Sequence, residues 1–499
     1  LAAPDLIVIV AFLGGSLALG LVMRQRARSA EDYFLGARRL PAWAVMLSIV
    51  ATETSALTVI SVPGIAARGD YTFLQLALGY LVGRIAVAWW LLPGYFAGRQ
   101  QTAYERLAMR FGTPTRQALS ATFLGTRLLA DGVRIYAGAI PLALLTGWDL
   151  PAAIVGMGLV TLAYTFVGGL RSVVWADALQ WAVYIAGGAC ALWVALQMAT
   201  EAHGSWGEAF ARAEAAGKLH VFDLQLSASV PFTLLGGLVG GALLSAASHG
   251  TDHLVVQRLL ATRTLRAAQW ALVGSGVLVL AQFALFLAIG TALWAAGQAP
   301  EGVPGDSLFP AFIVQHLPSG IAGLLMAGIL AAAMSTISSS ISALASSTTQ
   351  DLYAPWAGKT AAADGVHLLR VGRWCSLGWG LLLTGCALAF HFAAGSRDTP
   401  VVVMALSIAS VTYGALLGSF VLAQWRSGAG ARVQGPAVVA GAALSMGLMA
   451  ALVFGLPGRV AFVWFVPLGT GFTIAGALAW QALATMRTRR TSRTSRTSP

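Results

Sequence analysis

The sequence predicts an all-α polytopic membrane protein of about thirteen transmembrane helices, and three observations carry that prediction. The 499 residues are 57% hydrophobic and only 10% charged, against about 25% charged in an ordinary soluble domain. Apolar runs of about 20 residues, the length that crosses a bilayer, recur from end to end. Arginine gathers in the short segments between those runs, as topology demands of a membrane bundle. What remains outside the runs is too small for a separate soluble enzyme. The net charge of +12 is not that of a nucleic-acid binder, because there is no basic helix with interleaved aromatics. Cys190, Cys375 and Cys386 lie singly in apolar stretches, which excludes a disulfide framework and a CxxC pair.

The elements follow in order. The run at 4–23 lacks a basic segment before it and is followed by Arg24, Arg26 and Arg28, so it reads as a retained first span, not a cleaved signal. Spans at 41–64 and 72–97 each hold one charge, Glu53 and Arg84. A fourth at 117–147 holds Arg127, Asp131 and Arg134, and spans at 150–168 and 172–197 are separated only by GLR. A seventh at 229–249 carries paired glycines, an eighth at 267–296 is continuously apolar, and a ninth at 319–348 is rich in hydroxyls. Four more lie at 371–393, 400–424, 436–456 and 460–483. The ending MRTRRTSRTSRTSP is basic and of low complexity, and reads as a disordered tail near anionic lipid.

With the N-terminus outside, segments 24–40, 98–116, 169–171, 250–266, 349–373, 425–435 and the tail face the cytoplasm. They hold 23 of the 31 Lys and Arg, with 5 outside and 3 within spans. The positive-inside rule therefore places the N-terminus outside and the C-terminus in the cytoplasm of a multi-pass protein of the cell membrane.

Charges within spans are costly and are functional candidates. Arg127, Asp131 and Arg134 fall on one helical stripe at i, i+4, i+7, leaving one positive charge that meets a substrate anion, meets Glu53 or belongs to a structural network. Arg84 reads as a snorkelling end group. SVPG at Ser61–Gly64 marks a broken helix, and Gly236–Gly237 with Gly240–Gly241 marks either a second break or close helix packing. In AAAMSTISSSISALASSTTQDLY, Ser335, Ser338, Ser339 and Ser342 form a polar stripe at i, i+3, i+4, i+7, with Thr336 on an adjacent face. Neutral hydroxyls with freed carbonyls suit a hard monovalent cation, sodium above all.

Four stretches, GARRLPAWAVMLSIVATETSALTVISVPG, GGLRSVVWADALQ, HGTDHLVVQRLLATRTLRAAQ and AAAMSTISSSISALASSTTQDLY, in this order, resemble the sodium:solute symporter family over about residues 30–425. The resemblance implies the leucine-transporter (LeuT) fold, a 5+5 inverted repeat with one extra N-terminal and two extra C-terminal helices. The expected parts are an extra span and loop at 1–40, repeats at 41–228 and 229–425, two C-terminal spans at 426–483 and the tail at 484–499. It also implies a shared sodium site at the carbonyls of Ala51, Thr54 and Ala332 and the hydroxyls of Ser335 and Thr336. A second sodium site, found in some members, matches Asp177, Ser335, Ser338 and Ser339; Asp177 alternatively caps a helix or pairs with Arg171. Substrate candidates are Glu53, Ser55, Thr58, Phe73 and Gln75, with Arg127, Asp131 and Arg134 from the fourth span. Glu53 binds a substrate amine or hydroxyl, pairs with Arg127 or Arg134, or takes up a proton.

The function so implied is sodium-coupled import of a small organic solute by alternating access, with Na+ as coupling ion, no organic cofactor and no nucleic-acid partner. The surplus charge on the fourth span tilts the solute toward a carboxylate-bearing anion or zwitterion. Alternatives are a proton-coupled symporter of the same fold, an integral membrane enzyme using His249, Asp252 and His253 as metal ligands, and a non-transporting sensor.

Overall fold

The computed structural model describes residues 3–23, 27–54, 56–98, 100–361, 363–394, 401–425, 428 and 432–494, and its elements are helices. In chain order they are α1 (Ala3–Val22), α2 (Ala30–Leu35), α3 (Ala42–Glu53), α4 (Ala56–Arg68), α5 (Phe73–Ala97), α6 (Glu105–Phe111), α7 (Thr113–Thr146), α8 (Leu150–His203) and α9 (Trp206–Ala215). After these come α10 (Gly241–Gly250), α11 (His253–Leu260), α12 (Leu265–Ala295), α13 (Gly305–His316), α14 (Ile321–Trp356), α15 (Gly365–Ala394), α16 (Val401–Gln424), α17 (Gly435–Gly455) and α18 (Phe465–Thr494).

Eight helices among the described residues are long and apolar enough to cross a membrane, or nine if the bent pair α3 and α4 is one span. The difference from thirteen has physical causes. The charges of α7 lower its hydropathy, α10 is short, and α8 absorbs two expected spans. A straight 54-residue helix would be about 81 Å long, far beyond a hydrocarbon core of about 30 Å. α8 is broken at Gly169 (φ 59°, ψ −159°), a conformation that glycine alone adopts readily. A Cβ there would lie 2.5 Å from the Tyr33 carbonyl oxygen. The Tyr33 hydroxyl donates toward the carbonyls of Phe166 (3.1 Å) and Thr165 (3.3 Å), serving groups that a helix end leaves without partners.

The second expected span bends by 68° between α3 and α4, but not at SVPG. Ser61–Gly64 are helical and Pro63 sits inside α4. The helix stops ten residues earlier, where Thr54 turns extended (φ −77°, ψ 110°). Tertiary packing outweighs the proline: the Pro63 carbonyl is pressed against Gly290 of α12, where a Cβ would clash. The paired glycines serve close packing and not a break, since the backbone runs on helically from the turn into α10. Gly236–Gly240 form a π-helical turn, and Gly237 and Gly241 pack against Gln75, Leu76 and Gly79 of α5 at backbone contact.

α14 is the axial helix. Of its most apolar window 89% is buried, against 50% or less in the other spanning candidates, and it packs on α8, α7, α15 and α1. Its N-terminus begins after Gly320, which has no side chain to cap it. Asp5 of α1 supplies the cap from another helix, accepting the N–H groups of Gly320 (2.7 Å) and Gly323 (2.8 Å). At the other end of the chain α18 continues to Thr494, so helical backbone enters the segment set down above as a disordered tail. ALATMRTRR has no Gly or Pro to stop it.

Asp5→Ala should lower stability by about 1–2 kcal/mol, while Asp5→Asn retains most of it. Thermal unfolding of the detergent-solubilised protein checks both, and equal loss in the two variants would refute the capping role.

Candidate functional site

The end of α3 faces the middle of α14 across a small cavity of about 10 Å³ lined by Ala51, Thr54, Gln180, Trp181, Tyr184, Ala331 and Ala332. That is room for one water-sized body. The lining is mostly apolar, but it lies beside the point where α3 stops at Thr54 and the carbonyls of the last helical turn run out of intrahelical N–H donors. They also carry the negative end of the helix dipole. The Thr54 hydroxyl donates to the Val50 carbonyl (2.9 Å) and accepts Gln282 Nε2 (2.6 Å). From α14, the Thr336 hydroxyl donates to the Ala332 carbonyl (3.1 Å) and the Ser335 hydroxyl to Asp177 Oδ1 (2.7 Å). Ala51, Thr54 and Ala332 therefore share one cavity, with Ser335 and Thr336 one turn away on α14.

Asp177 is fully buried and does not pair with Arg171. Its Oδ2 accepts Ser48 Oγ (2.5 Å) and Arg258 Nη2 (3.2 Å). Arg258 also donates through Nε to Ser48 Oγ (2.8 Å), through Nη1 to the Leu254 carbonyl (2.7 Å) and through Nη2 to Ser339 Oγ. Thr52 Oγ1 meets Ser339 Oγ at 3.0 Å, and Ser338 turns aside to its own helix at the Ser335 carbonyl (3.1 Å). Asp177, Ser335 and Ser339 thus converge, but a guanidinium already lies against two of them. Arg258 was counted above among cytoplasmic loop charges. It is instead in α11, whose residues are all buried.

The stripe on α7 also has partners from afar. Arg127 binds Asp252 through Nε (2.9 Å) and Nη2, and donates to the Tyr413 hydroxyl (2.9 Å), which itself donates to Asp252 Oδ2 (3.1 Å). Asp131 accepts Arg127 Nη1 (3.3 Å), Arg134 Nη1 (3.0 Å) and Ser340 Oγ (2.5 Å). Asp252 cancels the surplus, so the group of two arginines and two aspartates is neutral and the charge argument for a carboxylate solute falls. Arg134 remains the open end, its side chain 25% exposed.

Glu53 pairs with neither Arg127 nor Arg134. Its carboxylate lies against Arg84, with His249 Nε2 at 3.5 Å. Arg84 is no snorkelling group: it is fully buried and donates also to Ser275 Oγ (3.1 Å). Of the other substrate candidates, Ser55 lies outside the described residues and Thr58 is half-buried. Phe73 stacks edge-on with Phe232 and Phe283. Gln75 is tied to the backbone, donating to Phe232 O (3.0 Å) and accepting Asp223 N (3.2 Å). The trio that the alternative enzyme reading would need separates as well. His249 faces Glu53, Asp252 caps α11 and binds Arg127, and His253 meets Ser346 Oγ at 3.1 Å.

Sequence reasoning missed Arg258, Asp252, Gln180, Tyr184 and the place of Arg84. One signal was available: LVVQRLL (Leu254–Leu260) is too apolar for a solvated loop.

Comparison with known proteins shows the family and the fold. The model of the Sodium:solute symporter family matches residues 33–435. The human sodium/iodide cotransporter is 30% identical over 462 residues, covering 88% of this chain and 67% of its own. The sodium/sialic acid symporter SiaT of Proteus mirabilis is 30% identical, covering 69% and 70%. Human sodium-coupled monocarboxylate transporter 2 is 28% identical, covering 82% and 66%. The structure of a Na+-coupled sialic acid symporter in a substrate-bound outward-open state superposes with a TM-score of 0.82 at 24% identity, covering 97% of this chain and 98% of that one. Mhp1, a nucleobase-cation-symport-1 family transporter, in a closed conformation gives 0.54 at 14% identity, covering 93% and 96%. These two likenesses show the fold.

Arg258→Met strands Asp177 as a buried charge and should cost about 3–5 kcal/mol. The double variant Asp177→Asn/Arg258→Met should recover much of that loss. A double-mutant cycle of unfolding in detergent measures it, and additive losses would mean that the pair is not coupled.

Proposed function

The chain belongs to the sodium:solute symporter family, and from that premise we propose that it is a sodium-coupled symporter importing a small anionic or zwitterionic solute by alternating access. The single observation that carries the ion assignment is the one-ion cavity between freed carbonyls of α3 and the Ala332 turn of α14. The carbonyls of Ala51, Thr54 and Ala332 and the hydroxyls of Ser335 and Thr336 provide five neutral oxygens for the ion. Sodium there ties the broken span to the axial helix and orders the solute site beside the break. Coupling follows because the solute then binds better to the sodium-loaded form, and each ligand raises affinity for the other by the same factor.

A second ion at Asp177, Ser335, Ser338 and Ser339 would have to displace Arg258, so the Ala51 site is the one proposed for the coupling ion. Proton coupling has less support, since Glu53 and Asp177 each already face an arginine. The anionic character of the solute now rests on the relatives, named for iodide, sialic acid and monocarboxylate. We assign Glu53, Ser55 and Thr58, at the break in the second span, as substrate-facing residues, and read the chain as two repeats at 41–228 and 229–425. The N-terminus is outside and the C-terminus cytoplasmic in the cell membrane, as the arginine distribution favours.

Sodium should raise the apparent melting temperature over equimolar choline chloride, by the equivalent of about 2.7 kcal/mol at a hundredfold excess over Kd. Ser335→Ala should lose most of that response. In proteoliposomes, an inward sodium gradient should drive uptake of labelled sialic acid, a monocarboxylate or iodide. A parent protein indifferent to sodium, with uptake following a proton gradient instead, would overturn the proposal.

A further inference from the structure

Glu53 is the last residue of α3, so its carboxylate stands at the edge of the break. The carbonyls of that turn already place the negative end of a helix dipole there, where an anionic side chain is out of favour. Arg84 offsets it from behind. The guanidinium is fully buried while the Glu53 side chain is 22% exposed, which makes the pair a dipole with its negative end outermost. His249 Nε2 lies 3.5 Å from the same Oε2 that meets Arg84, and its Nδ1 is committed to the Ser245 carbonyl (3.1 Å) and the Ser248 hydroxyl (2.8 Å). Two buried groups thus fix one carboxylate oxygen. Val82, Ile85 and Trp89 of α5 are exposed, on the helix face away from Arg84, so the open part of Glu53 looks into the bundle and not at lipid.

We propose that this carboxylate sets the specificity of the solute site, selecting a solute that carries an N–H or O–H donor, an ammonium or a hydroxyl, in addition to its acid group. The inference rests on the substrate-facing assignment of Glu53 and narrows it, since the relatives are named for solutes of unlike chemistry. An ionised carboxylate only accepts hydrogen bonds. A hydroxyl or ammonium gives it a charge-assisted bond. A halide or an unsubstituted monocarboxylate has no donor to give and meets a like charge instead. Arg84 lies too deep to rescue such an anion: to reach it, the anion would have to displace Glu53 and leave that carboxylate without its partner. Arg84 is therefore a positioning residue, acting on the solute through Glu53.

The test uses the full-length protein in proteoliposomes with an inward sodium gradient and labelled probes. Propionate, lactate and alanine share one skeleton and differ in carrying hydrogen, hydroxyl or ammonium beside the carboxylate; sialic acid and iodide are a second pair, with and without donors. Uptake of at least one donor-bearing probe should exceed that of propionate and iodide by about tenfold or more. Glu53→Gln keeps the shape and removes the charge. It should lower uptake of the donor-bearing probe and raise that of iodide or propionate, so that the ratio shrinks about tenfold. A residue with a merely structural role would scale every probe down together, and an unchanged ratio overturns the role of Glu53. Glu53→Asp, which withdraws the carboxylate by one carbon, should narrow the ratio in part, and it decides the matter if the glutamine variant does not fold. Iodide or propionate carried by the parent within about twofold of the donor-bearing probes overturns the donor class and leaves sodium-driven transport standing. No sodium-driven uptake of any probe overturns this inference and the transport reading together.

Discussion

A guanidinium at membrane depth must be neutralised by a group fixed beside it, because neither lipid nor a mobile counter-ion will do so. Three arginines set that requirement here, and the way they meet it joins the two halves of the chain. Arg84 is held by Glu53 and faces His249, Arg127 reaches Asp252, and Arg258 reaches back to Asp177. Each cluster spans residues before and after 229. Two of the ion pairs, Arg127–Asp252 and Arg258–Asp177, thus tie residues before 229 to residues after it, and the ion cavity lies next to the second.

α14 is the second half of that arrangement. Its hydroxyls are distributed to the polar groups of its neighbours: Ser335 to Asp177, Ser340 to Asp131, Ser346 to His253 and Ser347 to Ser120. A helix of leucines in this position would leave those groups unsatisfied at a cost of about 1–3 kcal/mol each. Ser342 is an exception whose hydroxyl is buried without a partner, and the structure offers no reason for it.

The parts of this architecture legible in the sequence were those with local signatures. Apolar runs gave the spans, the i, i+3, i+4, i+7 hydroxyls gave a polar stripe on one of them, and the motif around Asp177 gave a carboxylate that Ser335 meets directly, while Ser339 meets Thr52 and Arg258 instead. What stayed hidden was pairing over long sequence distance. Asp252 lies 125 residues from its partner Arg127 and Arg258 lies 81 from Asp177, so counting charges along α7 left a surplus that does not exist. The positive-inside rule counts an arginine as solvated when it follows an apolar run, and so assigned Arg258 to a loop. Proline misled in a similar way. SVPG suggested a break at Pro63, but the chain yields at Thr54, where the termination of α3 exposes carbonyls to α14.

The balance of Asp177 by Arg258 has an electrical consequence. The proposed ion site is lined by dipoles alone, with no net fixed charge to offset the sodium, so the loaded carrier bears the full charge of its cargo. A membrane potential of 100 mV then acts on each uncompensated charge crossing the bilayer with about 2.3 kcal/mol. With one ion and a monovalent anion the translocated complex is neutral and voltage does no work on it. With one ion and a zwitterion the same carrier generates current. The valence of the solute, read against a single neutral ion site, decides whether this protein is driven by concentration alone or by voltage as well.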